Sequence, residues 1–349
     1  MQKGLLTILA ITILAGTGLL MNSQSQEQNS FLEDKLMKEY QIWQQEHGKR
    51  YSQFENTFRF GIFKKNYDYV INHQKRFEAG LETYELGMNS LADLSVEEFE
   101  GIYLKWRYNN KQQSNEIFEG GKGIQIPEFV DLRNDGLVSA VQNQGNCGSC
   151  WAFSAVGSLE SALRQSGVQN VELSEQELND CTKGQEYDSD GCNGGFMFEA
   201  FEYASKNGIA IKSEYTYVAQ DQECQSKKTK TRFTFNGYIR VESLNSQAYL
   251  EAASQHALSV GINASGINFQ LYRKGIFSSK CDGKVESLNH AILNVGYAPD
   301  YYLLKNSWGL SWGEAGFIRF ARITDKVGQC GVHQDVTYPI YKKNSSIIQ

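Results

Sequence analysis

The stretch Gln144-Gly145-Asn146-Cys147-Gly148-Ser149-Cys150-Trp151-Ala152-Phe153 decides how the rest of the 349-residue chain is read. A thiol at the first turn of a helix faces unpaired backbone N–H groups and the positive dipole end, and both favour thiolate over thiol. Cys150 has that placement. Ser149 is a good N-cap, and Trp151, Ala155, Val156, Leu159, Ala162 and Leu163 recur at helical spacing, so a helix is predicted from Cys150 to about Gln165. Gly145 and Gly148 leave the backbone ahead of the thiol open to a ligand. Taken alone, Cys147-x-x-Cys150 also fits a thioredoxin-type redox pair or half of a zinc site. The first wants a cytosolic βαβ context and the second a matching pair, and Cys181, Cys192 and Cys224 lack zinc spacing.

Downstream lie Asn289-His290-Ala291, 140 residues after Cys150 at the histidine, and then Lys305-Asn306-Ser307-Trp308-Gly309. With these the chain resembles the papain family of cysteine peptidases, most closely its cathepsin L-like branch, from about Phe31 to about Tyr341. The resemblance implies an α+β, papain-like two-lobed fold: a helical lobe facing an antiparallel, barrel-like β lobe, with the active site in the cleft and a helical propeptide ahead. It also implies disulfides Cys147–Cys192, Cys181–Cys224 and Cys281–Cys330, leaving Cys150 as the free thiol among seven cysteines.

Amide hydrolysis needs a nucleophile stronger than water, a proton donor for the leaving amine and a site for the oxyanion. The resemblance assigns attack to a Cys150 thiolate paired with a His290 imidazolium, which then protonates the leaving nitrogen as a thioester is left on Cys150. Asn306 would orient the His290 ring, Gln144 with the Cys150 backbone N–H would hold the oxyanion, and Trp308 would screen the His290/Asn306 contact. Bland readings compete: Cys150 as a buried structural thiol, His290 as a core histidine, Gln144 as a loop amide, Trp308 as core. Four role-fitting residues in the family's order and spacing outweigh them. His47, His73, His256 and His333 lack such context and are read as structural.

For substrate, Gly191-Cys192-Asn193-Gly194-Gly195-Phe196-Met197 resembles the family's non-primed wall, where missing side chains let backbone approach backbone. Gly148, Gly194, Gly195, Phe196 and Met197 are the candidates there, and Trp308 and Trp312 flank the primed side with the Asn289 backbone nearby. Matching Cys330-Gly331-Val332-His333-Gln334-Asp335 to the family's last segment puts Asp335 on the floor of the second acyl-side pocket and Gly261 on its wall. A small wall and an acidic floor imply acceptance of Arg as well as Leu or Phe, the Arg preference fading toward the Asp pKa of about 4. The bland alternative is an Asp335 that points to solvent.

Composition fits an enzyme with a substantial core: 41% hydrophobic and 12% aromatic. The net charge of −6 is spread along the chain, with 14 Lys+Arg against 16 Asp+Glu in residues 1–126 and 20 against 24 beyond. No basic face for nucleic acid results. All seven cysteines follow residue 146, as in a secreted enzyme with a bridge-free pro-segment. Lys3, the apolar run Gly4–Met21 and the polar stretch after it read as a signal peptide over residues 1–23, with a membrane anchor as the alternative. The expected destination is the secretory pathway, ending in a lysosome, an acidic vacuole or the extracellular space, with no membrane attachment after signal removal. No cofactor and no metal are expected. Peptide and protein substrates and the chain's own propeptide as inhibitor are the expected partners of a monomer.

Residues 24–125 read as the inhibitory propeptide and linker, and 126–349 as the mature domain, with 126–232 helical and 233–349 forming the β lobe. In the propeptide, Leu32, Leu36, Tyr40 and Trp43 share one helical face, and a second helix from Gln53 to Phe77 carries Phe63, Tyr67 and Val70 and should cross the first. Glu55-x3-Arg59-x3-Phe63-x2-Asn66-x3-Val70-x3-Gln74 resembles the family's interspersed propeptide motif, although Gln74 departs from it. Gly87-x-Asn89-x-Leu91-x-Asp93 resembles its second motif, with Asp93 the candidate acid switch. Ser95–Glu98 and Ser174–Glu177 are capping boxes. Residues 106–125 look too polar to pack and are read as a linker and cutting site, with the mature N-terminus near Pro127. Asn263-Ala264-Ser265 and Asn344-Ser345-Ser346 are glycosylation acceptors on paper, usable only if exposed.

Two rival functions remain open at this level. An inactive papain-like binding protein usually lacks the thiol, which is present here. A thiol oxidoreductase would cycle Cys147 and Cys150. Among peptidases, no His-bearing insertion lies between Cys192 and Cys224, which favours an endopeptidase over an exopeptidase.

Overall fold

The computed structural model describes residues 31–110, 116–121, 123–184, 186–323 and 325–342. The apolar run near the N-terminus and the Asn344 acceptor lie outside the described residues. The chain divides into two compact units, Met1–Asp68 and Tyr69–Gln349.

In the first unit a helix over 31–46 (α1) is followed by α2, Gln53–Glu78, which begins there. Leu36, Tyr40 and Trp43 are buried on Phe60 and Phe63, with the Tyr40–Phe63 and Trp43–Phe63 rings 5.0 and 5.2 Å apart. Leu32, expected on the same face, is 55% exposed, because apolar contact begins only one turn later at Leu36. Glu55 and Arg59 pair at i,i+4 across 3.5 Å.

The second unit is built on one mixed sheet flanked by helices. Its elements in chain order are β1 (Tyr84–Leu86), α3 (Val96–Tyr103), β2 (Ile117–Phe118), β3 (Val130–Asp131), α4 (Cys150–Gln165), α5 (Glu175–Cys181), α6 (Met197–Lys206), β4 (Ile209–Ala210) and β5 (Arg232–Phe233). They continue as β6 (Tyr238–Val241), α7 (Ser246–Ala253), β7 (Leu258–Ile262), α8 (Ile267–Gln270), β8 (Tyr272–Phe277), β9 (His290–Tyr297), β10 (Tyr301–Lys305), β11 (Phe317–Ala321) and β12 (Val336–Pro339). The sheet order is β1-β8-β11-β10-β9-β7-β12-β6-β2, with β3 also pairing β9. Its pairs are antiparallel except β8–β11 and β2–β6. The β lobe is therefore mixed rather than purely antiparallel.

The long apolar runs become central strands because burial on both faces tolerates unbroken hydrophobicity, and β9 is buried along all eight residues. α4 lies across it: Ser154 Oγ donates to Ile292 O at 2.9 Å, Ser259 Oγ to Ser154 O at 2.9 Å, and Ser158 Oγ to Ala257 O at 2.6 Å. These hydroxyls anchor the helix on the sheet at fixed depth. The largely helical segment 126–232 also contains β3, which crosses to β9, and the pair β4–β5. Such two-residue strands form through backbone pairing alone and leave no periodic signal.

The capping boxes differ in outcome. Ser95 and Glu98 cap α3 reciprocally. Ser174 Oγ accepts from Glu177 N–H at 2.9 Å, but the Glu177 carboxylate pairs with Arg232 and takes a 2.7 Å bond from Tyr203 Oη instead of returning to the cap. The carboxylate is held by the Arg232 guanidinium, the Tyr203 hydroxyl and, at 2.7 Å, the Ala210 N–H, which draw it away from the cap. Asn263 is 8% exposed; its Nδ2 donates to Asp282 O at 2.8 Å and its Oδ1 accepts from Ser265 N–H. Its glycosylation signal is thus folded inward.

Candidate active site

Cys150 is the first residue of α4 and fully buried. Ser149 holds the N-cap position without a side-chain cap bond; its hydroxyl lies 2.6 Å from Tyr217 Oη, which donates to Gln144 O at 2.7 Å. The expected Ser149 cap is replaced by a tether to Tyr217. No motif pointed to that tyrosine; its position after a disulfide-rich segment gave no signal.

His290 opens β9 and is also fully buried. One ring nitrogen, Nε2, lies 2.9 Å from Asn306 Oδ1, which sets the proton on Nε2 and leaves Nδ1 as the acceptor. Nδ1 has no hydrogen-bond partner. The Ser154 bond to Ile292 O brings the start of β9 to the start of α4. The Trp308 ring lies 4.7 Å from the His290 ring. Ser307 Oγ and Trp308 Nε1 both donate to Gln144 Oε1, at 2.7 and 3.0 Å, and Gln144 Nε2 donates to Cys147 O at 2.8 Å. Gln144, Cys150, His290, Asn306 and Trp308 therefore form one connected cluster.

Burial pushes the Cys150 thiol up to about 11, while backbone groups of Ala291, Trp151, Trp106 and Cys150 pull the other way. Burial likewise drives His290 down to about 4, against the Asn306 bond. In this covered state burial therefore pushes both groups toward their neutral forms, against the thiolate and imidazolium that the chemistry requires once substrate can enter.

The cover is the chain itself. Phe99 and Tyr103 of α3 meet the Trp308 ring edge-on at 5.3 and 5.6 Å. Next, Lys105 lies over Gly148 and Gly194, so close that its carbonyl oxygen would collide with any Cβ at Gly194. Trp106 N–H donates to Asn289 O at 3.2 Å, and the Trp106 ring lies against Gly261, where a Cβ would stand 2.5 Å from its Cη2. Trp106, placed in the linker on composition, is 1% exposed. It was missed as a site residue, although a tryptophan in an otherwise polar stretch was a usable signal.

The remaining candidates gather around this path. Gly195 packs on Trp151, Phe196 is the half-buried N-cap of α6 with its ring 5.6 Å from Phe198, and Met197 is buried with its sulfur accepting from Ser154 Oγ at 3.4 Å. Asp335 is 5% exposed rather than solvent-facing; its backbone oxygen accepts from Gly261 N–H at 2.9 Å and its Oδ1 has no partner. Burial pushes its carboxyl up to about 6, opposed by Arg240, above the value of about 4 expected from sequence. Trp312 is buried against Trp308, the rings 5.1 Å apart, with its indole nitrogen donating to the Phe269 and Gln270 carbonyls.

Disulfides join Cys147 to Cys192, Cys181 to Cys224 and Cys281 to Cys330, and Cys150 is free. With Cys147 already bonded, the dithiol needed for a Cys147/Cys150 redox pair does not exist. Among the described residues no group of side chains could hold a metal ion, and no helix is long and apolar enough to cross a membrane.

Residues 126–340 match the papain family cysteine protease family, and residues 40–99 match the cathepsin propeptide inhibitor domain (I29). Papain of Carica papaya is 38% identical over 313 residues, covering 88% of either chain. Cathepsin L1 of Drosophila melanogaster is 38% identical over 325 residues, 88% of this chain and 86% of the relative. The solved digestive procathepsin L 3 of the Tenebrio molitor larval midgut superposes with a TM-score of 0.79 at 33% identity, covering 87% of this chain and 99% of that one. The chain belongs to the papain family of cysteine proteases and carries a cathepsin-type inhibitory propeptide ahead of its protease domain.

Proposed function

We propose that Cys150 is the nucleophile, His290 the acid and base, Asn306 the residue that orients it and Gln144 an oxyanion donor. The observation that carries this reading is the Nε2–Asn306 bond, which fixes the His290 ring at the start of β9 with its other nitrogen unpartnered, while Cys150 is the free cysteine at the start of α4. Once the cleft opens, water re-enters and the proton moves from Cys150 to His290. The thiolate then attacks the scissile carbonyl, and the tetrahedral oxyanion is held by Gln144 Nε2 and the Cys150 N–H. Collapse releases the amine with the His290 proton and leaves a thioester, which a water activated by His290 hydrolyses. Trp308, over the imidazole, keeps solvent from the Asn306 contact.

The cover supports a reading of the subsites. Gly148, Gly194 and Gly195 give an extended substrate backbone the approach that Lys105 has now, with Phe196 and Met197 behind and the Asn289 carbonyl as an acceptor. Gly261 and Asp335 form the pocket that Trp106 fills. The chain runs from Trp308 toward Gly261 as it goes from Tyr103 to Trp106, the reverse of a substrate, so its peptide bonds are mis-presented to the thiol. Residues 1–23 are the signal peptide, the propeptide runs to about 125, and the monomeric enzyme acts after removal of both, in an acidic vacuole or outside the cell.

Replacing Cys150 by Ala abolishes peptidase activity in a folded chain, and His290→Ala is comparably damaging; a loss of about 10³-fold or more in kcat is expected for each. Asn306→Ala costs less, because the reacting pair remains. Activity of Cys150→Ala above the uncatalysed background on a fluorogenic peptide sinks the assignment.

Asp93, a fully buried carboxyl group just ahead of α3, is the proposed acid switch. Asp93→Asn shifts the pH at which the precursor matures; an unchanged profile by gel assay places the switch elsewhere.

A further inference from the structure

Residues 116–121 lie between the two family matches, which end at residue 99 and resume at 126. Their composition gives no reason for packing, and Ile117 is 54% exposed. They are nevertheless docked. β2 runs parallel to β6, with Arg240 N–H donating to Glu116 O at 3.2 Å and Glu242 N–H to Phe118 O at 3.0 Å. Beyond the strand, Asn245 Nδ2 donates to Glu119 O at 3.1 Å, and Gly121 N–H donates to Glu251 Oε1 at 3.1 Å. Gly120, at φ +71°, passes so near α7 that a Cβ would stand 2.9 Å from Ala248 Cα. These bonds use backbone atoms of residues 116–121 throughout, which is how an edge strand accepts an added strand whatever its side chains.

We propose that the β6 edge and the start of α7 form a second docking site outside the cleft. It holds residues 116–121 as an added strand and keeps them on the protease after a first maturation cut N-terminal to Glu116. The proposal rests on the reading above that the chain is trimmed to its protease domain. Each cut consumes one water and leaves a new carboxylate and a new amine. The second cut, between Gly121 and Pro127, follows only when the clasp opens, because a protease needs the target backbone unpaired and extended. The maturing enzyme therefore passes through a form that carries its own added strand.

Limited thermolysin digestion of the full-length Cys150→Ala chain, with cuts mapped by mass spectrometry, tests this. The expected cuts fall N-terminal to Glu116, with none inside 116–121. Gly120→Val in the same background forces a side chain into Ala248 and raises cutting within 116–121 on the order of tenfold. Asn245→Ser acts in the same direction but less, since serine still caps α7 while the donor to Glu119 is lost. Equal cutting of 116–121 in the parent and Gly120→Val chains, or no cut ahead of Glu116 in the parent, overturns the proposal. Thermolysin does the cutting and Cys150 is absent, so the result is independent of whether the catalytic assignment stands.

Discussion

Asp335 and Gly261 show how burial alters what a residue type implies. A carboxylate shut from water with an oxygen unpartnered is costly, and it gains most from a ligand that brings charge and donors together. A guanidinium does both, in a fork that matches the carboxylate. The mature enzyme is therefore expected to cleave after peptides with Arg, as well as Leu or Phe, one residue before the cleaved one. A raised carboxyl loses its charge sooner on acidification: Asp335 is ionised above about 6 in the covered chain and neutral below it. Opening the cleft relaxes that burial, so the Arg preference fades as pH falls from about 6 toward the ordinary Asp value of about 4. Asp335→Ala assayed on paired peptides should cut kcat/KM for Arg by about 10- to 100-fold while sparing Leu, the worth of a charge-assisted hydrogen bond. Equal changes for both peptides remove Asp335 from the pocket. The free thiol and the family order of Gln144, Cys150, His290 and Asn306 were legible in the sequence because the chemistry demands those residue types. The burial of the pair was not, since it depends on what lies on top of it.

At the scale of elements, helix α3 and the three residues after it form the cover. Phe99 and Tyr103 fix the helix on Trp308, and the chain then crosses the cleft to seat Trp106 against Gly261. An aromatic side chain buried to this degree is worth about 3 kcal/mol or more. Trp106→Ala should therefore raise the initial hydrolysis of a small peptide by freshly purified precursor at least about tenfold, whereas unchanged latency would mean that the cover is held elsewhere. α4 was readable because its apolar residues recur at helical spacing. β1, β2 and β3 were not. Each is two or three residues long and exists because a neighbouring strand offers unpaired backbone groups, a property of the partner rather than of the segment. The polar stretch 106–125 misled for the same reason: composition measures side-chain burial, while residues 116–121 dock through their backbone. Glu177 likewise left its capping box for Arg232, 55 residues away, a contact no local pattern contains.

Across the whole molecule, the segment that lies over the cleft also withdraws water from a thiol and an imidazole. Burial lowers the imidazole and raises the thiol, so both are pushed toward their neutral forms in the covered chain. Removing the cover reverses both shifts and leaves the helix dipole and the Ala291, Trp151 and Cys150 backbone groups to favour the thiolate. Geometry and charge are thus switched together, since the segment that blocks the substrate's path also excludes the solvent the ion pair needs. The direct measurement is labelling by a thiol-directed epoxide, run on the full-length chain and on the same chain after propeptide removal, with the modified peptide identified by mass spectrometry. The account predicts one equivalent, on Cys150 alone, taken up quickly after removal and hardly at all before. Label on another residue, or equal uptake by the covered and uncovered chains, would contradict it.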